Sequence, residues 1–306
     1  MTRTGPALSC RPTLPDDLPA LAGFFADRFG HPWEPEEWRW KYEALPGESR
    51  SWVAVDASGE LLAHAGALRL PARRRGGETR VWQLVDWAGT TRRGGLRPAL
   101  VELGRRLLAD LPREEDAPWI FGFPSERHFR LGERVFGYKP LQVIEELVGD
   151  IPESAAGSGL IEAGDSCGDW AERVWEACGI DGVRRSAAFL NWRYYARPAR
   201  YYRFYRIDGG GPEGLAVFSF LPGEAWAAEL WLPPGGGWTP GLLAVAADLR
   251  AAGFRRWRFW APAPSGLGLR ATGERRFIGC RGRAGGPDPV EAAAGFFYAM
   301  GDYDLV

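Results

Sequence analysis

Thiol and imidazole chemistry are scarce in this chain, which has 4 cysteines and 3 histidines among 306 residues. Cys10, Cys167, Cys178 and Cys280 have neither metal-ligand spacing nor the pattern of a disulfide framework. His31, His64 and His128 are too far apart to form a local zinc motif. No metal is expected, and the thiol usage fits a reducing cytoplasm. Charge imbalance is also lacking. The formal net charge of −1 gives no global attraction to nucleic acid or to a membrane surface. No apolar run approaches the roughly 20 residues of a membrane span. The opening residues lead into RPTLPDDL with no signal-peptide pattern.

Tryptophan is abundant, with 15 residues that serve as large core fillers or as the lining of an aromatic cleft. Richness in Ala, Arg, Gly and Pro fits a GC-rich bacterial genome. A chain of this length divides most readily into two domains. It can bury roughly 70–75% of its unfolded surface without disulfides.

The organising stretch is RVWQLVDWAGTTRRGGLRPALVELGRRLLAD, residues 80–110. Val81 to Trp87 has the apolar, β-branched and aromatic character of a buried strand. After a short turn come Arg92, Arg93, Gly94 and Gly95. Leu96, Leu100, Leu103 and Leu107 then recur at helical spacing, and Pro98 fits only a first turn. A helix start carries unpaired N–H groups and partial positive charge, and glycines let a phosphate approach them. Arg92, Arg93, Gly94, Gly95 and Leu96 therefore make a candidate pyrophosphate cradle. The alternative is a surface turn with two solvated arginines.

Along the chain, residues 7–12 suit an opening strand, and Pro15 to Gly30 a helix with acidic residues in its first turn. EPEEWRWKY (34–42) is either an acceptor-pocket wall or a helix packing its aromatics. Ser51–Val55 and Leu61–Leu70 are strands about the turn Asp56–Gly59. Strands are also expected at Pro118–Phe123 and Leu141–Gly149, with a helix between them that begins near Ser125 and ends at Gly137. Residues 152–169, small and Gly/Ser-rich, suit a linker. Beyond it come helices at Trp170–Ala177 and Pro240–Ala252. Strands are expected at Tyr201–Ile207, Leu215–Leu221, Ala225–Leu232 and Arg255–Ala261. The expected architecture is α/β (α+β): two tandem domains, 1–151 and 170–306, each a mixed, mainly antiparallel sheet flanked by helices. The second domain has only Pro233–Trp238 as an equivalent loop, without arginine. RYYARPARYYRFYR (193–206) could serve as a base-stacking platform, but the near-neutral chain favours a Tyr-rich strand instead.

The stretch at 80–110 resembles motif A of the GCN5-related N-acetyltransferases, whose loop R/Q-x-x-G-x-G/A joins a strand to a helix. Residues 11–25 resemble that family's first strand exit and helix. FGFPSERHFRLGERVFGY (121–138) resembles its fifth strand, helix and closing GF/GY. Residues 187–207 resemble the tandem members. The resemblance implies an acyl-CoA co-substrate, acetyl-CoA first among them, and transfer to an amine of a small metabolite, sugar or peptide. It implies that Val85, Asp86 and Trp87 line the pantetheine arm, with Ser125 adding a contact at the next helix start. The tyrosine the family places several residues before GF/GY has no counterpart in Leu131-Gly132-Glu133-Arg134. A non-catalytic acyl-CoA or metabolite binder and a Fem-type aminoacyl-tRNA-dependent transferase are the alternatives.

Acyl transfer needs a base for the amine proton. Asp86 is the first candidate, because an ionised carboxylate inside an apolar strand needs a compensating reason. Glu126 is second, with helix-dipole complementarity as its alternative role. His128 is third.

Overall fold

The computed structural model describes residues 8–30, 33–90, 96–111, 118–153, 161–282 and 285–303. It divides into two compact units. The first comprises Met1–Pro71, Thr79–Leu141 and Ile278–Ala294. The second comprises Ala72–Glu78, Gln142–Phe277 and Gly295–Val306.

The first unit opens with β1 (Ser9–Pro12), α1 (Leu18–Phe29), α2 (Pro35–Tyr42) and β2 (Glu48–Val55). β3 (Leu61–Arg74), β4 (Gly77–Gly89), α3 (Leu96–Asp110), β5 (Trp119–Gly122) and α4 (Glu126–Phe136) follow. Gly30 and Gly137 end α1 and α4 in the left-handed conformation that glycine adopts without steric cost. EPEEWRWKY is the helix α2, with Trp38, Trp40, Lys41 and Tyr42 buried. One face of α3 packs Leu100, Leu103 and Leu107 onto Ala63, Ala65, Ala67 and Trp82 of the sheet. Small alanines on the strands let the helix approach closely, and larger side chains there would overpack the layer.

In the second unit lie β6 (Lys139–Asp150), β7 (Ile161–Gly164), α5 (Trp170–Cys178), β8 (Gly182–Val183) and α6 (Ala187–Leu190). A π-helical turn, Asn191–Tyr195, follows α6 directly. Then come β9 (Tyr202–Asp208), β10 (Glu213–Leu221), β11 (Glu224–Trp231), α7 (Trp238–Ala251) and β12 (Arg256–Trp260). β13 (Arg270–Gly282) ends within the first unit, which also holds α8 (Pro289–Ala292), and a 3₁₀ turn, Met300–Asp302, follows in the second. Strands run in the order β6-β12-β11-β10-β9-β7. α7 covers one face with Leu242, Val245, Ala246 and Leu249 against Tyr205, Phe218, Trp257 and Phe259.

Both units repeat one plan, a meander of antiparallel strands followed by one parallel pair. That pair is β4 with β5 in the first unit and β11 with β12 in the second. A helix joins each pair, α3 or α7, as a parallel crossover requires. The architecture is thus the mixed, mainly antiparallel one expected.

Three features depart from expectation. The stretch 152–169 carries β7, which pairs antiparallel with β9. The two units interleave along the chain, and one of the changes from the first to the second falls at Leu141/Gln142. β13 was not anticipated, because its RATGERRFIGCRG has no sustained apolar alternation. Its end returns to the first unit, pairing Gly279–Gly282 with Gly122–Trp119 of β5. The tyrosine-rich segment 193–206 is mostly core: Arg193, Tyr194, Arg197, Tyr202 and Tyr205 are buried, and Tyr195 and Tyr201 are exposed.

Candidate active site

β4 and β5 pair in parallel only from Trp82↔Ile120 to Leu84↔Gly122, while β4 continues to Gly89. Two residues past the last pair, Asp86 takes a left-handed backbone, φ 53°. Aspartate tolerates that region better than most residues. The kink breaks the two-residue alternation of the strand. Trp82 and Leu84 pack with α3, and after the kink Trp87 does so. Asp86 is thereby turned out of the apolar layer toward α2.

There its carboxylate meets two successive helix residues. Lys41 Nζ donates to Oδ1 at 2.9 Å and to Oδ2 at 3.1 Å, and the Tyr42 hydroxyl donates to Oδ2 at 2.7 Å. Side-chain exposure is 6% for Lys41 and 8% for Asp86, so water screens the pair little. Glycine at position 66 is required here, since a Cβ on it would collide with the Tyr42 hydroxyl.

A second chain of hydrogen bonds holds the kink from β3. His64 Nδ1 lies 3.0 Å from the Asp86 carbonyl, and Nε2 lies 2.8 Å from Ser51 Oγ. The carbonyl can only accept, so Nδ1 carries the proton and Nε2 accepts from Ser51. Ser51 Oγ is in turn 2.7 Å from Thr13 Oγ1. Burial, the largest influence, lowers the His64 pKa from 6.5 to about 4. The unfolded chain therefore takes up this proton first as pH falls. The His64 contribution to stability is complete above about pH 6.5 and is lost toward pH 4. The loss amounts to about 3 kcal/mol at roughly 1.4 kcal/mol per unit. Urea unfolding at pH 7, 5 and 4 should show this slope in the native chain and not in His64→Gln. Equal slopes in the two proteins would remove His64 as its source.

On the other face of β4, Trp87, Leu100, His128, Leu131, Gly132 and Phe136 surround a cavity of about 20 Å³ between α3 and α4. That is room for about one water molecule. Trp87 and Phe136 meet edge to face at 5.6 Å. They press on Gly104, where a Cβ would lie 2.9 Å from Trp87 Cη2.

The other candidates from the sequence are dispersed. Val85 is buried in β4. Ser125 caps α4, accepting from the His128 amide at 3.4 Å. Glu126 is an exposed first-turn carboxylate paired with Arg130 one turn on, the geometry of dipole complementarity. Burial, followed by Arg127, lowers the His128 pKa. Leu96 is the first residue of α3. Arg92, Arg93, Gly94 and Gly95 lie outside the described residues. Among the described residues no cluster of His, Cys, Asp or Glu could hold a metal, and no helix is long and apolar enough to cross a membrane.

The second unit builds the same device differently. Glu229 on β11 lies three residues past the last β11–β12 pair, Trp226↔Arg258. Tyr194 donates to its Oε1 at 2.6 Å, Arg185 Nε to the same oxygen at 3.0 Å, and Trp231 Nε1 to Oε2 at 2.7 Å. Arg185 also donates to Asp302 at 2.8 Å. Both tyrosines belong to one repeated pattern: Trp40-Lys41-Tyr42-x-Ala44-x-Pro46 recurs as Trp192-Arg193-Tyr194-x-Ala196-x-Pro198. This repeat is the signal in the sequence for Lys41 and Tyr42, and the loop glycines carry none.

The architecture defines a class, tandem α/β units each with a split parallel strand pair. Solved structures with a similar fold include GCN5-related N-acetyltransferases. One from Anabaena variabilis ATCC 29413 has a TM-score of 0.65 at 12% identity, covering 90% of this chain and 72% of that one. A tandem protein of the clavulanic acid biosynthesis pathway, solved without acetyl-CoA, has a TM-score of 0.62 at 14% identity, covering 92% of this chain and all of that one. One from Sphaerobacter thermophilus has a TM-score of 0.53 at 19% identity, covering 92% and 98%. At these identities the likeness is one of fold. No family model and no curated protein sequence matches the chain.

Proposed function

We propose that this protein is an acyl-CoA-dependent N-acyltransferase, with acetyl-CoA the first co-substrate to test and an amine of a small metabolite, sugar or peptide as acceptor. Reaction is assigned to the first unit. The observation that carries this reading is the kinked β4. The strand leaves its parallel partner after Leu84 and goes on to Gly89, with a buried carboxylate at the kink. The β4–β5 ladder ends at Leu84, and an amide-containing arm could pair with the strand beyond it. The neighbours' description as N-acetyltransferases supports the same reading.

Val85, Asp86 and Trp87 would line the arm. Arg92, Arg93, Gly94, Gly95 and Leu96 would hold the pyrophosphate at the start of α3. Ser125 would contribute at the start of α4. The space between α3 and α4 admits an arm only if Trp87 or Phe136 shifts. Asp86 is the proposed base and Glu126 the reserve.

Calorimetric titration with coenzyme A tests the cradle. Replacing both Arg92 and Arg93 by Ala should weaken binding by about 2–4 kcal/mol, at roughly 1.5–3 kcal/mol per charged hydrogen bond. A thermal melt on the same variant separates lost binding from lost fold. Unchanged affinity removes the loop from the site.

The second reading is a non-catalytic acyl-CoA or metabolite binder. It is favoured by the engagement of both Asp86 oxygens by Lys41 and Tyr42. Coenzyme A binding without acyl transfer to any member of an amine panel would select it.

A further inference from the structure

Lysine is nearly absent from this chain. Of 38 basic residues, only Lys41 and Lys139 are lysines. Lys139 is half-exposed and paired with Asp288. Lys41 is buried, whereas the other buried cations among the described residues, Arg185, Arg193 and Arg197, are arginines. The internal repeat makes the contrast direct. Arg193 stands at the position of Lys41, and it donates to the carbonyls of Gly301 at 3.1 Å and Tyr303 at 3.3 Å. The carboxylate of the second unit is held by Arg185 instead. A guanidinium keeps its proton under all ordinary conditions, while an ammonium can give one up. The second unit thus has a fixed cation against its carboxylate, and the first has one that can exchange a proton across a 2.9 Å contact.

Resting on the acyl-transfer reading above, we propose that Lys41 and Asp86 form a proton-transfer couple, Asp86 receiving the proton of the attacking amine and Lys41 supplying the proton of the departing thiol. A neutral amine adds to the thioester carbonyl, forming the C–N bond and a tetrahedral oxyanion with a protonated nitrogen. Asp86 takes one proton from that nitrogen. The oxyanion collapses, the C–S bond breaks, and the sulfur leaves with the electron pair. Lys41 protonates the thiolate and becomes a neutral amine. The proton on Asp86 then crosses to Lys41 and restores the ion pair. Amine and thioester have become amide and thiol, with no proton gained or lost by the protein.

The charged and titratable surroundings are compatible with this cycle. From α2, Tyr42 donates to Asp86 Oδ2, leaving Oδ1 with the closer of the two Lys41 contacts. Glu37 lies one turn before Lys41 on the same helix. From β3, His64 is bonded to the Asp86 carbonyl, not its carboxylate, and burial keeps it neutral near pH 7. Asp17 is paired with Arg11.

The test uses the full chain with acetyl-CoA and hydroxylamine, an acceptor small enough to need no fitted pocket. Thiol release is followed above the uncatalysed rate. Lys41→Arg keeps the charge and removes the exchangeable proton; Lys41→Gln keeps a donor to Asp86 and removes both charge and proton. Each should lower turnover by about 10²-fold or more, with Lys139→Arg unchanged. Calorimetric affinity for coenzyme A should be unaltered in both variants. The high-pH limb of the rate profile should be absent from Lys41→Gln. A merely structural lysine would move the melt and leave the shape of the pH profile intact. If either folded variant turns over at the native rate, the couple is wrong while the acyl-transfer reading stands. If the native chain does not bind coenzyme A, the acyl-transfer reading falls and takes the couple with it.

Discussion

Replacing Arg185 by leucine is expected to destabilise the protein by about 3–5 kcal/mol, because it takes the guanidinium away from the buried Glu229 carboxylate. Arg185 and Glu229 have side chains 1% and 0% exposed, and Asp302 is 1% exposed. Burial raises the Glu229 pKa, and Arg185 is the main influence pulling it back. With the guanidinium gone, Glu229 keeps Tyr194 and Trp231 as donors, and Asp302 keeps the Ala299 amide. Neutral donors do not neutralise the Glu229 charge in a medium of low dielectric. Urea denaturation provides the measurement. The triple change Arg185→Leu, Glu229→Gln, Asp302→Asn should recover part of the loss, since it removes the carboxylate charges as well. An Arg185→Leu variant as stable as the native chain would show that the network contributes nothing net.

Replacing Asp86 by asparagine is expected to lower turnover by about 10²–10⁴. Asparagine accepts the left-handed backbone at this position, so the kink can persist. It still accepts a hydrogen bond, but it takes no proton at neutral pH. The same change leaves the Lys41 ammonium buried against a neutral amide, costing up to about 3–5 kcal/mol of stability. One variant therefore mixes two effects, and a second separates them. Lys41→Gln combined with Asp86→Asn places two neutral amides in contact. Stability should largely return, while turnover should stay low. Full turnover by the folded double variant would take both residues out of the chemistry.

Local order was legible because it rests on local physics. Asp16 and Asp17 at the entry to α1 and Gly30 at its end announced that helix, as Ser125 and Gly137 announced α4. Leu100, Leu103 and Leu107 fixed the buried face of α3 through spacing alone. β9, β10 and β11 fell within two residues of their expected limits, since each is an apolar run bounded by turn residues. The repeated order of strands and helices then gave the fold class.

What the sequence determined by itself was this succession of elements, each encoded in the spacing and end residues of one segment. Only the tertiary structure decided which segments share a unit and which side chains share a site. β13 joins β5 across more than half the chain, and pairing over such a distance leaves no periodic trace in either strand. Asp86 stood out as an isolated carboxylate in an apolar strand. Its partners are 44 and 45 residues away on a helix, and only the left-handed kink turns it toward them. Side-chain direction depends on backbone angles residue by residue, and one irregular angle reverses the face that a strand's alternation assigns. For that reason the internal repeat could single out Lys41 and Tyr42, but only the folded chain sets them against a carboxylate.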